Sequence, residues 1–273
     1  MEQGRLGVIE VTEPVPGLER WRFWTWTSRR VGYDVSAYRL GDVLVDSGFR
    51  HAWRGHESWV PRLAGVRCFL THADEDHSGG AAWLARAGVP VFAPADALPR
   101  LRARQRLLLY ERWIWGTPDP VDAAPLPDRV VHREGVLLVV RTPGHSPDHV
   151  AFFDPDRRWC FGGDLFVSVR VRFARPRENV DAWLDSLRRV RDLRPALLFD
   201  AHAGLVPDAE RALAEKIAWI EAVRREARRL RAAGCSHARI RDRLLGREPW
   251  HLRWLTGGDF TKLNLVRLLL GEP

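Results

Sequence analysis

The segment from His72 to His77 carries two imidazoles and three carboxylates within six residues, and it follows directly on the apolar run 66–70. Carboxylates crowded in this way repel one another and take up protons unless a cation lies between them. A strand that ends in such a cluster leaves the polar side chains on a loop at the edge of a sheet, where a cation can enter from solvent. The spacing therefore predicts a divalent metal site at the end of a strand.

Three later segments have the same design, a short apolar run that predicts a strand and a potential ligand beyond it. Histidine nitrogen and aspartate oxygen suit zinc, with bonds of about 2.0 to 2.2 Å, and no cysteine stands at a ligand position. We therefore interpret these segments as sources of the remaining ligands. The runs and their ligands are 136–141 with His145, 159–163 with Asp164, and 196–199 with His202.

The order His-x-Asp-x-Asp-His, then Gly-His, then Gly-Asp, then a final His resembles the metallo-β-lactamase superfamily, in its branch nearest glyoxalase II and related hydrolases. The resemblance includes the family's early Asp-x-Gly turn, here Asp46-Ser47-Gly48. One position departs, since the family usually has histidine where this chain has Asp74. The resemblance implies an α/β fold, a four-layer αββα sandwich over residues 1–206, with a small helical, winged-helix-like subdomain over 207–273.

The resemblance also implies a dinuclear centre with seven protein ligands. Two divalent ions are expected, zinc above all, although Asp74 offers a hard charged oxygen and so favours iron or manganese as well. Asp76 and Asp164 are predicted to be catalytic, because Asp164 bridges the ions and Asp76 can accept a proton or orient a water. The implied ligand sets are His72, Asp74 and His145 for one ion, and Asp76, His77 and His202 for the other, with Asp164 between them.

This centre predicts a metal-dependent hydrolase, in which a hydroxide bridging the ions cleaves an ester, thioester, lactone or phosphoester. A second interpretation is an oxidoreductase resembling the persulfide dioxygenases of the family, mononuclear or di-iron, since His72, His145 and Asp164 alone suit Fe(II) and oxygen. A third is a nucleic-acid phosphodiesterase, because nucleases of the family share the histidine-rich motif and the chain after residue 207 is rich in arginine.

Residues near the ligands receive supporting roles. Glu75 is expected to face solvent and Ser78 to cap the following helix, while Asp200 is either a hydrogen-bonding partner of an imidazole or solvent-exposed. His149 either starts a strand or transfers a proton to the substrate. An insertion at about 95–128 is predicted to cover the cleft, and its candidates for substrate contact are Tyr110, Arg112, Trp113 and Trp115.

Hydrophobic periodicity gives the elements that must position these residues. The alternation of strands and helices is typical of a layered α/β fold. A helix near 236–245 is expected to be capped by Ser236. Strands are predicted at 19–26, 34–45, 66–70, 90–92, 130–131, 136–141, 149–154 and 158–162, and helices at 79–87, 98–115, 180–191, 207–233, 236–245 and 259–270.

Composition adds only coarse limits. The formal net charge of +8 favours an anionic small-molecule substrate and permits nonspecific contact with nucleic acid without identifying either. Residues 1–5 lack a secretory pattern and no apolar run approaches the roughly 18 residues of a membrane span, so the prediction is a cytoplasmic protein with no membrane partner. Cys68 and Cys160 lie in apolar strand patterns and are predicted to be buried small hydrophobes.

Overall fold

A computed structural model describes residues 7–272; residues 1–6, which include the segment used to predict location, and residue 273 lie outside the described residues. Within residues 7–272, thirteen strands form two mixed sheets, one of seven strands and one of six. The strands are β1 (Val8–Val15), β2 (Leu18–Trp24), β3 (Val35–Leu40), β4 (Val43–Val45), β5 (Arg67–Phe69), β6 (Val91–Ala93), β7 (Ala124–Pro125), β8 (Arg129–His132), β9 (Gly135–Arg141), β10 (Val150–Asp154), β11 (Trp159–Gly163), β12 (Leu197–Asp200) and β13 (Gly204–Pro207).

Helices cover the outer faces of both sheets. Short 3-10 segments also occur at Arg50–Trp53, Glu57–Leu63 and Ala95–Ala97. Between residues 7 and 272, no helix combines the length and the apolar character that a membrane span requires. The α-helices are α1 (Trp26–Val31), α2 (Glu75–Ser78), α3 (Ala81–Arg86), α4 (Leu98–Arg102), α5 (Leu109–Ile114), α6 (Val180–Asp192), α7 (Ala209–Ala232), α8 (His237–Leu244), α9 (Trp250–Leu255) and α10 (Lys262–Leu270).

The strands follow the order β1 to β7 in the first sheet and β13 to β8 in the second. Strands β4, β5, β6 and β7 run parallel, as do β11 and β12, whereas the other neighbours are antiparallel. Parallel neighbours end at the same edge of a sheet, so the residues that follow β5 and β11 and the turn after β12 all lie at carboxyl-terminal strand ends.

Three buried clusters define the four layers. Aromatic side chains fill the space between the sheets, where the Phe161 and Phe199 rings stack at 5.2 Å and the Tyr38 ring lies 5.5 Å from that of Phe199. A second cluster packs the first sheet against α3 and α5, and a third packs the second sheet against α6, α7, α8 and α10. The predicted αββα sandwich is confirmed, and continuous apolar runs in central strands such as β4 and β10, which are buried along their whole length, explain why each sheet has two buried faces.

The predicted early strands differ in detail from the observed ones. The strand predicted at 19–26 ends at Trp24, because Thr25 and Ser28 exchange side-chain-to-backbone hydrogen bonds and start α1 as a capping box. Trp26 is consequently in a helix and 60% exposed. The strand predicted at 34–45 is the hairpin of β3 and β4, which turns through Gly41 at φ 57°.

One helical prediction differs from the structure and another agrees with it. The single helix predicted at 98–115 is two short helices, α4 and α5, joined by an irregular segment. The helix predicted at 236–245 is confirmed as α8, and the Ser236 hydroxyl accepts from the Arg239 backbone N–H at 3.3 Å as expected. Cys68 and Cys160 are fully buried in β5 and β11, which confirms their predicted packing role.

The chain after residue 207 is helical and docks onto the second sheet. Its buried side chains, such as Leu213 and Leu265, share one apolar cluster with residues of β10 to β12. Among the described residues beyond 207, β-type pairing is limited to Thr261, which bridges to Ala174. The hairpin wing of a winged helix is therefore not seen in this part of the chain, and the division at residue 207 remains a prediction.

Candidate metal centre

The structure brings all seven predicted ligands to one edge of the sandwich. Asp164 lies at the middle of the group, because its Oδ1 atom is 3.1 Å from His77 Nε2 and 3.2 Å from His202 Nε2. Its Oδ2 atom is 3.4 Å from His145 Nε2. Ligand atoms within 4.8 Å of one another form three sets: His72, His77 and Asp164; His72, Asp74 and His145; and Asp76, His77 and His202.

The donor atoms fit a divalent metal ion. The Nε2 atoms of His72 and His77 are buried, and neither has a hydrogen-bond partner within residues 7–272. Buried polar atoms are otherwise almost always paired, so two imidazole nitrogens that face a ring of carboxylates are suited to hold a cation. Imidazole nitrogen and carboxylate oxygen together suit zinc, iron and manganese.

Asp46 holds the predicted ligands of the first motif in place from behind. Its Oδ2 atom accepts from His77 Nδ1 at 2.8 Å, and its Oδ1 atom accepts from the Thr71 backbone N–H at 2.7 Å. The Thr71 hydroxyl also donates to Asp46, so its oxygen accepts from His72 Nδ1 at 2.9 Å. Both imidazoles are therefore fixed with Nδ1 protonated and with the Nε2 lone pair facing the centre.

The other two imidazoles are oriented in the same way. His202 Nδ1 donates to the Asp34 backbone carbonyl at 2.9 Å, and His145 Nδ1 lies 3.6 Å from Glu178 Oε1. Burial opposes protonation of His145 and His202, but the surrounding carboxylates, Asp164 first, raise the pKa to about 10 for His145 and to about 9 for His202. A cation that binds here must therefore displace protons.

Asp74 is the predicted ligand with the most unusual surroundings. It is fully buried, and three guanidinium groups contact it: Arg100 Nη1 donates to Oδ1 at 2.6 Å, and Arg177 Nη2 and Arg175 Nη1 donate to Oδ2 at 2.6 and 3.2 Å. Burial by itself would raise the pKa of Asp74, but His145 and the arginines outweigh it and hold that pKa well below its usual value. The lone pairs of Asp74 are thus shared between any cation and three arginines.

Three of the supporting predictions are corrected. Glu75 is fully buried rather than solvent-exposed, 3.7 Å from Arg100, and burial together with Asp74 raises its pKa to about 8. Ser78 ends α2 and donates to the Asp74 carbonyl at 3.0 Å, so it does not cap the following helix. Asp200 is buried, and its carboxylate accepts from backbone N–H groups, among them that of His202 at 2.9 Å, rather than from an imidazole.

His149 lies behind the centre and not in the cleft. Its Nε2 atom accepts from the Asp164 backbone N–H at 3.1 Å, so Nδ1 carries the proton and donates to the Thr142 hydroxyl at 2.8 Å. Burial and the nearby His145 lower the pKa of His149 to about 3, and the ring stays neutral. Gly163, at φ 52°, allows this approach, because a Cβ atom there would lie 2.8 Å from His149 Nε2.

A cavity of about 180 Å³ opens over the centre, and five aromatic rings form part of its wall. The insertion supplies Trp115 to this wall, as predicted for one of its candidates. Tyr110 is instead buried and donates to Asp259 at 2.8 Å, and Trp113 is 55% exposed; neither lines the cavity. This cavity, called here the aromatic cavity, is lined by the rings of Tyr33, Trp115, Phe173, Trp183 and Phe260, by Gly32, Val167 and Val171, by the charged side chains of Arg175 and Glu178, and by Asp76, His145, Asp164 and His202 of the predicted centre.

The sequence did not single out the arginines around Asp74, or Glu178 and Phe260. The run Arg175-Pro-Arg177-Glu178 before α6 is a local concentration of charge that could have drawn notice. No spacing rule connects it to Asp74, however, because Arg175 and Asp74 are 101 residues apart. Phe260 reaches the cavity from the helical tail, and Asp259 beside it lies 3.6 Å from Arg175.

An αββα sandwich with a histidine and carboxylate cluster at one sheet edge defines a class of metal-binding proteins. The sequence profile of the metallo-beta-lactamase superfamily matches residues 35–202, which include every predicted ligand. The chain therefore belongs to the metallo-β-lactamase superfamily.

Relatives in this family are hydrolases by name. The chain is 25% identical over 197 residues to an atrochrysone carboxyl ACP thioesterase from Aspergillus fumigatus, covering 67% of this chain and 55% of that protein. It is 29% identical over 136 residues to the hydroxyacylglutathione hydrolase GloC of Haemophilus influenzae, covering 44% of this chain and 58% of that protein. The chain thus spans less than two thirds of the length of these relatives.

Among solved structures, a beta-lactamase domain protein from Burkholderia ambifaria superposes with a TM-score of 0.70 at 20% identity, over 96% of this chain and 88% of that one. A metallo-beta-lactamase family protein from Thermus thermophilus gives a TM-score of 0.66 at 20% identity, over 93% of this chain and 91% of that one. At this identity the likeness concerns the fold, and it extends into the helical tail.

Proposed function

We propose that this chain is a metal-dependent hydrolase that cleaves an ester, thioester, lactone or phosphoester of a small molecule. The observation that carries the proposal is the convergence of seven imidazole and carboxylate side chains beneath an open aromatic cavity. The names of the relatives, a thioesterase and a hydroxyacylglutathione hydrolase, favour acyl transfer to water.

The ligand geometry supports two divalent ions, with zinc as the first candidate. Asp76, His77 and His202 form the stronger set, because arginine does not contact their ligand atoms within ion-pair distance in residues 7–272. His72, Asp74 and His145 form the weaker set, because the oxygens of Asp74 also accept from three guanidinium groups. We expect metal titration to show two unequal affinities.

When bound, such ions lower the pKa of a coordinated water and polarise the scissile oxygen. The side chains of the protein supply the rest of the chemistry. Asp76 is only 5% exposed, but it lines the cavity. Its carboxylate can therefore take a proton from the attacking water or orient that water. The aromatic walls exclude solvent and hold the substrate against this edge, and His149 keeps the Asp164 backbone fixed.

The second candidate function is an oxidoreductase resembling the persulfide dioxygenases, and the surroundings of Asp74 favour this function. If the arginines keep Asp74 from binding metal, His72, His145 and Asp164 still offer two nitrogens and one carboxylate, which suit Fe(II) and oxygen. The nucleic-acid phosphodiesterase has less support, because several tail arginines form ion pairs within the chain, for example Arg224 with Asp181 at 2.7 Å and Arg231 with Glu272 at 3.1 Å.

Protein purified without added metal should first be analysed for its metal content and then assayed on thioesters, lactones and phosphodiesters. Hydrolysis that is lost on chelation and restored by zinc supports the proposal, and Asp76→Ala should abolish it. One iron per chain with oxygen uptake would support the dioxygenase instead. Hydrolysis that survives exhaustive chelation would contradict the proposal.

A further inference from the structure

A second cavity, of about 280 Å³, lies beside His202. Both cavities are lined by Gly32 and His202, so both border a predicted ligand of the metal centre. The second cavity differs in character, because three arginines line it. Its lining residues, called here the arginine subsite, are Arg20, Arg22, Arg29, Gly32, Asp34 and His202.

The positive charge of the arginine subsite is only partly neutralised. Arg22 forms an ion pair with Asp34. Arg20 donates from Nε to the Ser36 hydroxyl at 2.9 Å, and the Arg29 guanidinium lies 4.6 Å over the Trp24 ring. In the described part of the chain, neither Arg20 nor Arg29 has a carboxylate within ion-pair distance. Two guanidinium groups are therefore available to an anion.

The position of the two cavities defines what kind of molecule fits both. A guanidinium group binds carboxylate and phosphate through paired N–H donors, whereas the aromatic cavity favours an apolar ring. His202, a predicted ligand, belongs to both linings, so a molecule that occupies both cavities has its central part beside this ligand of the predicted metal centre. The net charge of +8 adds a long-range attraction for anions.

We propose that the substrate is an acyl compound whose apolar, ring-bearing part occupies the aromatic cavity and whose other part carries a carboxylate or phosphate bound by Arg20 and Arg29. This inference rests on the proposed hydrolase function. It makes the arginine subsite a determinant of specificity, separate from the chemistry at the metal centre.

Three phenylacetyl thioesters with different thiols test the inference, namely 3-mercaptopropionate with a carboxylate, 2-mercaptoethyl phosphate, and neutral 2-mercaptoethanol. We expect the anionic thioesters to have a kcat/KM about tenfold above the neutral one, mainly through KM, because charged hydrogen bonds exceed neutral ones. The preferred anion identifies the source of the charge. In Arg29→Gln and Arg20→Gln the ratio should fall toward one.

Arg30→Gln is the matched control. Arg30 is the next residue of α1, is also exposed, and lies 5.2 Å over the Trp26 ring outside the arginine subsite. The ratio should stay near tenfold in this variant. If Arg30→Gln lowers the ratio as much as Arg29→Gln does, general surface charge explains the preference and the arginine subsite is refuted.

Failure of this inference can be told from failure of the proposed function. Hydrolysis of all three thioesters at equal rates leaves the hydrolase intact and refutes the subsite. If no thioester is cleaved, calorimetry can measure the binding of the corresponding non-hydrolysable thioethers instead. About tenfold tighter binding of the anionic thioethers, lost in Arg29→Gln, supports the arginine subsite. Equal binding of the anionic and neutral thioethers refutes it.

Discussion

Asp74→Asn removes one negative charge from the middle of three arginines while keeping the shape of the side chain. In the unmodified protein the carboxylate is fully buried, with Arg100 and Arg177 at 2.6 Å and Arg175 at 3.2 Å. The amide of asparagine offers a single acceptor oxygen and carries no charge. The substitution therefore leaves the guanidinium groups without their shared counter-ion.

The three contacts should not contribute equally. The side chains of Arg100 and Arg177 are 34% and 39% exposed, so water screens them and each pair contributes about 0 to 1 kcal/mol. Arg175 is only 10% exposed, and loss of one partner of a buried pair costs about 3 to 5 kcal/mol. Because Arg175 keeps Asp259 at 3.6 Å, we expect the lower end, about 3 kcal/mol. This corresponds to a fall in Tm of roughly 6 to 12 °C.

Thermal unfolding of the metal-free protein, prepared by chelation, measures this effect. Asp76→Asn is the control, because it makes the same chemical change two residues along the chain. Within residues 7–272, no arginine lies within ion-pair distance of the Asp76 carboxylate. Its metal-free Tm should change by less than about 3 °C. If Asp74→Asn lowers the Tm only in the metal-loaded protein, Asp74 acts as a ligand alone, and the argument that it anchors the arginines is wrong.

Further expectations concern groups around the centre. Asp46→Asn should weaken metal binding about 10- to 100-fold in chelator competition, because Asp46 orients His77, and unchanged affinity would contradict that role. His149→Leu should destabilise the metal-free protein by about 1 to 3 kcal/mol in urea, since the buried Asp164 N–H loses its acceptor. Burial lowers the pKa of Lys216 from 10.5 to about 7, so between these pH values the unfolded chain holds a proton that the folded chain has lost. Stability should therefore rise with pH over this window, by up to about 5 kcal/mol relative to Lys216→Met, and a pH-independent difference would refute this account.

Several features of this protein follow from sequence alone because they depend on neighbours along the chain. The six residues from His72 to His77 fix the type and crowding of the first ligands, and the apolar runs before Asp164 and His202 indicate strands that must end there. The alternation of predicted strands and helices indicates a layered α/β fold, and the observed sandwich confirms it. The Ser236 cap was predictable for the same reason, since its partner is three residues away.

Other features were decided only when distant segments packed together. The arginines that contact Asp74 lie up to 103 residues away along the chain. Glu75 is buried because Arg175 and the insertion cover it, and the polarity of its neighbours in sequence did not predict this burial. Phe260 reaches the cavity from the tail, and the arginine subsite combines residues of β2, α1 and the turn after β12. Long-range contacts of this kind leave no periodic trace in the sequence. These contacts depend on the path that the loops take across the sheet edges. The free energy of packing and charge pairing in the whole fold determines that path.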